Sequence, residues 1–121
     1  LPTGRIVSVD DRRDLRRPRA IAGLELDDVY TSVVPSADGL ARCSIEDLSA
    51  GRRIVIQFDP GSLPEVVVYT PSGRTAICVE PQSCPTDAFN LAARGIDAHV
   101  VRLEPGGEIA WVLTIRSEPA P

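Results

Sequence analysis

Apolar and polar residues alternate at period two in several short runs of this chain, and turn-forming residues separate the runs. From Leu40 to Asp47 the alternation sets Ala41, Cys43 and Ile45 on one face and Arg42, Ser44 and Glu46 on the other. That is the pattern of a half-buried antiparallel strand. Arg53 to Phe58 repeats it, with Ile54, Ile56 and Phe58 together. Val29 to Val34 is rich in β-branched residues and reads as a strand. The turn Pro35-Ser36-Ala37-Asp38-Gly39, with its Asp-Gly pair, predicts a hairpin from it onto Leu40–Asp47. Val66 to Thr70 and Thr75 to Glu80 read as a second hairpin around Pro71-Ser72-Gly73. Ala98 to Leu103 and Ile109 to Arg116 read as closing strands, the latter with Ile109, Trp111, Leu113 and Ile115 on one face. The tail from Ser117 to Pro121 has no predicted packing partner. A briefer strand is expected at Ile6–Val9, and Leu24–Asp28 is a short segment that ends in two acids. The one helix spans Asp87 to about Arg94, with Thr86 as its cap and Gly95 at its stop. About eight short strands, with turn signals roughly every eight to twelve residues, predict an all-β chain. The expected architecture is an antiparallel sandwich, or part of one, with a single short helix.

A length of 121 residues suits one domain with a sizeable core. Aromatics make up only 4% of the chain, so that core must be mostly aliphatic. A net charge of -4 gives no case for nucleic-acid binding. The arginines between Asp10 and Arg19 are interleaved with Asp10, Asp11 and Asp14, which predicts a solvated, self-paired loop rather than a basic patch. No apolar run reaches the length of a membrane span. Cys43, Cys78 and Cys84 are odd in number and irregularly spaced, which fits neither a disulfide framework nor a zinc site. They read as buried thiols of a protein in a reducing cytoplasm.

The chemistry concentrates in one stretch, Ile77 to Asn90. Period two turns Ile77 and Val79 inward and leaves Ala76, Cys78 and Glu80 on the opposite face. Ala76 and Cys78 are small, so the surface beside Glu80 has room for a ligand. Pro81 cannot donate to a ladder and stiffens the backbone just after the carboxylate. Gln82 lies two positions on, and Glu80 and Gln82 together make a hydroxyl-gripping pair. A surface glutamate at a strand end reads the same way from these residues alone.

This stretch, ending Cys84-Pro85-Thr86-Asp87-Ala88-Phe89-Asn90, resembles the C-terminal signature of the aldose 1-epimerases, the galactose mutarotase family. The resemblance extends to Val68-Tyr69-Thr70-Pro71, to Leu103-Glu104-Pro105-Gly106-Gly107-Glu108 followed by Trp111, and to Leu26-Asp27-Asp28-Val29-Tyr30. At the other end it takes in Pro2-Thr3-Gly4-Arg5-Ile6 and Asp14-Leu15-Arg16. It thus covers nearly the whole of residues 1–121, as a single region similar to the C-terminal part of a mutarotase-type β-sandwich.

The resemblance implies a hexose mutarotase. A base takes the proton of the C1 hydroxyl, an acid protonates the ring oxygen, and the opened ring recloses on its other face. Glu80 would be the base, and Asp27 and Gln82 would hold sugar hydroxyls; no metal or organic cofactor is needed. The family's acid is a histidine N-terminal to the matched region. The sole histidine here, His99, sits on an expected strand with Val101 and Leu103 and reads as a packed or rim residue. The chain is therefore expected to need a missing N-terminal segment or self-association. The alternatives are a non-catalytic carbohydrate-binding β-sandwich module and a structural β-domain without a sugar site.

Overall fold

The computed structural model describes residues 5–73 and 76–121. Expectations at residues 2–4 and at Thr75 lie outside the described residues. The described elements, in chain order, are β1 (Asp27–Tyr30), β2 (Ala41–Asp47), β3 (Arg52–Phe58), β4 (Glu65–Tyr69), β5 (Cys78–Gln82), helix α1 (Ala88–Ala93) and β6 (Leu113–Pro119). They form two antiparallel three-stranded sheets, β1-β4-β5 and β2-β3-β6. The protein is all-β with one short helix.

Register explains how the sheets meet. Ala41 pairs with Phe58 and Cys43 with Ile56, so the alternation of β2 and that of β3 bury the same face. In the other sheet Val66 and Val68 turn inward from β4, and Val79 from β5. Both inner faces feed one cluster, which includes Leu24, Leu26, Ala41, Ile56, Phe58, Leu63, Val66 and Val68, with Ile77 and Val79 packed against it. The core is aliphatic apart from Phe58 and half-buried Tyr30. A smaller cluster of Ala88, Leu91 and Ala98 seats α1.

Turn chemistry holds where it was expected. Asp47 Oδ1 accepts from the backbone of Ser49 and Ala50, and Gly51 adopts φ 60°. Asp59 caps its own turn by accepting from the Gly61 N–H and the Ser62 hydroxyl. The arginine-rich loop is self-paired: Arg13 binds Asp10 and Asp28, and Arg16 binds Asp14. At such exposure these pairs contribute little to stability.

Several expectations are corrected. The turn before Leu40 forms, with the Gly39 N–H donating to Ser36 O, but it does not close a hairpin. β1 ends at Tyr30, Ser32 turns the chain at φ 57°, and the segment that follows crosses to the other sheet. No strand forms at residues 6–9 or 98–103. At His99 a φ of 53° is incompatible with extended backbone. The last strand starts at Leu113 rather than Ile109, and runs through the tail to Pro119, which pairs with Arg52. Nor does Glu80 end its strand: β5 continues through Pro81 to Gln82. Because β5 is an edge strand, proline's missing N–H costs no ladder bond on its open side. Helix α1 begins after Asp87, in the left-handed region at φ 66°, and Thr86 gives it no side-chain cap.

Thr70 ties the entry of β1 to the end of β4. Its buried hydroxyl accepts from the Leu26 N–H at 2.9 Å and donates to Leu24 O at 3.1 Å. Thr70→Val keeps the shape but strands both buried backbone groups. We expect it to cost about 1–3 kcal/mol in urea unfolding. A loss indistinguishable from zero would mean that water reaches these groups.

Candidate functional site

The site is built by the register of β1-β4-β5. On β4, Val66 and Val68 enter the core, so Glu65, Val67 and Tyr69 occupy the other face. Asp27 pairs with Tyr69, and Tyr69 in turn with Cys78. Val29 pairs with Val67, and Val67 with Glu80; Glu65 pairs with Gln82. Asp27, Val29, Val67, Glu80 and Gln82 therefore share one face, away from the core. Asp27 and Glu80 lie two strands and two residues apart, roughly 12 Å between Cα atoms by standard sheet spacings.

Glu80 is exposed, and the Gln82 amide donates to its Oε2 at 3.1 Å. Glu80 and Gln82 are thus in direct contact on one face. Asp27 is exposed at the start of β1. Its neighbour Asp28 points the other way and is held by Arg13, whose Nε donates to Asp28 Oδ1 at 3.0 Å. That bond and the Asp28 charge, joined by Asp10, raise the guanidinium pKa above its ordinary value. Tyr30 donates its hydroxyl to Arg13 O at 2.9 Å. Burial, together with the nearby Asp28 charge, pushes that phenol up to about 12. Of the two adjacent acids, Asp28 is paired with Arg13, and Asp27 is exposed on the opposite face.

A cleft of about 750 Å³ passes round the free edge of β1. Its lining includes Asp27, Val29, Tyr30, Glu65, Val67 and His99, together with residues 5–9. Asp27 thus faces a hollow. Glu80 and Gln82 do not line it: they sit one strand beyond Val67, on the same face and open to solvent. A second hollow lies around α1 and is lined by Phe89, Ala92, Ile96 and Ala98 together with Asp97 and Arg102, among others.

Over residues 1–116 the chain matches the family model described as "Aldose 1-epimerase". The chain belongs to the aldose 1-epimerase family. No curated protein and no solved structure gives a match. Family membership accounts for the all-β architecture and for the order of the motifs from Leu26-Asp27 to Glu80 and beyond.

Sequence reasoning missed Glu65 and Thr31. Glu65 is almost fully buried, yet it heads an otherwise apolar strand on the same face as Val67. Its Oε1 accepts from the Thr31 hydroxyl at 3.1 Å and lies 3.1 Å from His99 Nδ1. The available signal was a lone carboxylate opening a run of three valines, one strand over from Gln82. His99 stands at the rim of the cleft, as a rim residue should, but on an irregular segment rather than a strand. Among the described residues no group of three or more acidic, cysteine or histidine side chains could hold a metal ion. No described helix is long and apolar enough to cross a membrane. The cysteines are free and half-buried, and burial raises the Cys43 thiol above its usual pKa, which makes it a poor nucleophile.

Proposed function

We propose that the protein is a mutarotase of aldohexoses, with Glu80 as the general base and Asp27 and Gln82 as sugar ligands. The observation that carries this reading is the common face of Asp27, Val67, Glu80 and Gln82 on a sheet with open edges. A pyranose laid over Val67 places its apolar ring face on the valine and its hydroxyl groups toward the flanking carboxylates. Glu80 then takes the C1 hydroxyl proton, an acid supplied by a further polypeptide segment gives its proton to O5 as the C1–O5 bond breaks, and rotation about C1–C2 precedes reclosure, which returns both protons. The Gln82 amide, already donating to Glu80 Oε2, holds the carboxylate in one orientation for that transfer.

A second reading is favoured by one specific observation. The cleft reaches Asp27 but not Glu80, which suits a carbohydrate-binding module that holds a sugar without turning it over. Polarimetry separates the two. The mutarotase reading expects freshly dissolved α-D-galactose or α-D-glucose to reach its unchanged final rotation faster with added protein once an N-terminal segment carrying the acid is supplied. Sugar binding without any acceleration, even with that segment present, would leave the binding module.

The same reading includes an assembly. Trp111 and Val112, just before β6, and Leu113 and Ile115 on it are exposed, and β6 is an edge strand whose ladder is open on one side. Such an edge is an aggregation liability unless it is covered. Self-association or a further polypeptide segment covers it in this account, in a reducing cytoplasm that suits three unpaired thiols. A monodisperse species of 13.0 kDa in sedimentation velocity, at assay concentration, would contradict the need for cover.

A further inference from the structure

The least exposed charged side chain of the site face is Glu65, with relative exposure of 3%. A carboxylate so removed from water is costly unless it is hydrogen-bonded. The Thr31 hydroxyl and His99 Nδ1 provide those bonds. With Glu65 ionised, both partners donate, and the proton on Nδ1 leaves Nε2 as the ring atom free for another contact. His99 is anchored a second time through its backbone, whose N–H donates to Asp97 Oδ1 at 3.1 Å. The imidazole itself is 43% exposed and lines the same cleft as Asp27 and Val67. The arrangement is a buried anchor, a fixed ring and an open cleft. For packing alone, a half-exposed ring would not need a buried carboxylate behind it.

We propose that His99 is a ligand of the bound aldose, its Nε2 hydrogen-bonded to a sugar oxygen, and that Glu65 is the positioning residue that sets its ring. The inference rests on the reading of this face as a sugar site, and it adds a second polar contact in the cleft that Asp27 also lines. Nothing covalent is involved: the pair orients the pyranose in the cleft.

Because the chain has one histidine, its ring nitrogens give unambiguous NMR signals. The test is a titration of the nitrogen-15-labelled protein with galactose, following the His99 ring and the Val67 methyls together. The free protein is expected to show the Nδ1–H tautomer. Added galactose should shift Nε2 along the same saturation curve as Val67. His99→Asn suits the left-handed backbone at this position, and it should weaken galactose binding roughly 2- to 10-fold. Glu65→Gln should disturb the tautomer and weaken binding with the histidine still present. If Val67 responds while His99 does not, or if His99→Asn binds galactose as tightly as the parent, the inference is overturned and the sugar site stands. If no resonance responds to galactose or glucose, the sugar site and the inference fall together.

Discussion

Glu80→Gln should slow anomer interconversion by roughly two to four orders of magnitude, the usual contribution of a positioned general base. Glutamine matches glutamate in shape and keeps an acceptor oxygen beside Gln82, so the sheet is undisturbed. Proton affinity is what disappears. The substitution should therefore act on kcat and leave sugar affinity within a few fold, since Asp27 and Val67 are untouched. Because Glu80 is exposed on an edge strand, stability should change by no more than about 0.5 kcal/mol. Equal rates for Glu80→Gln and the parent in the polarimeter would remove Glu80 from the mechanism.

Phe58→Ala should produce the largest stability loss, about 3–5 kcal/mol. Phe58 is the largest fully buried side chain, 1% exposed, and it packs where the two sheets meet, opposite Ala41 in register. Ala41 is too small to refill the space. Against a typical total of about 5–15 kcal/mol, such a loss leaves a substantial unfolded population. The other phenylalanine, Phe89, is an internal control: it is 80% exposed on α1, and Phe89→Ala should cost no more than about 0.5 kcal/mol. Urea titrations of both variants make the comparison. Equal losses would mean that the core is not centred where the sheets meet.

The strands that face a buried layer were legible in the sequence because burial imposes period two on them. Leu40–Asp47, Arg53–Phe58 and Val66–Thr70 were read close to their observed limits for that reason, whereas β5 runs on to Gln82, past the Glu80 at which it was expected to end. Ile109–Trp111 and His99–Leu103 carry the same alternation but form no strand. Trp111 and Leu103 have no facing layer to bury them, and without burial the pattern has no force behind it. The expected β1–β2 hairpin failed for another reason. A turn motif specifies local geometry, whereas pairing depends on which sheet buries the strand, and β1 is drawn to β4 through Leu26 and Thr70. Alternation alone set Glu80 on the face opposite Val79. The sharing of that face with Asp27 needed the register, which no single strand contains. The Glu65–His99 contact joins positions 34 residues apart across an irregular segment, and no spacing rule reaches it.

The central claim is that an aldose lies on the outer face of β1-β4-β5, over Val67 and between Asp27 and Glu80. Nuclear Overhauser contacts between galactose protons and valine methyls test it most directly. The account predicts contacts to Val67 and Val29 and none to Val66 or Val68, whose side chains enter the core from the other side of the same sheet. Contacts confined to the hollow beside α1, around Phe89 and Ile96, would contradict it.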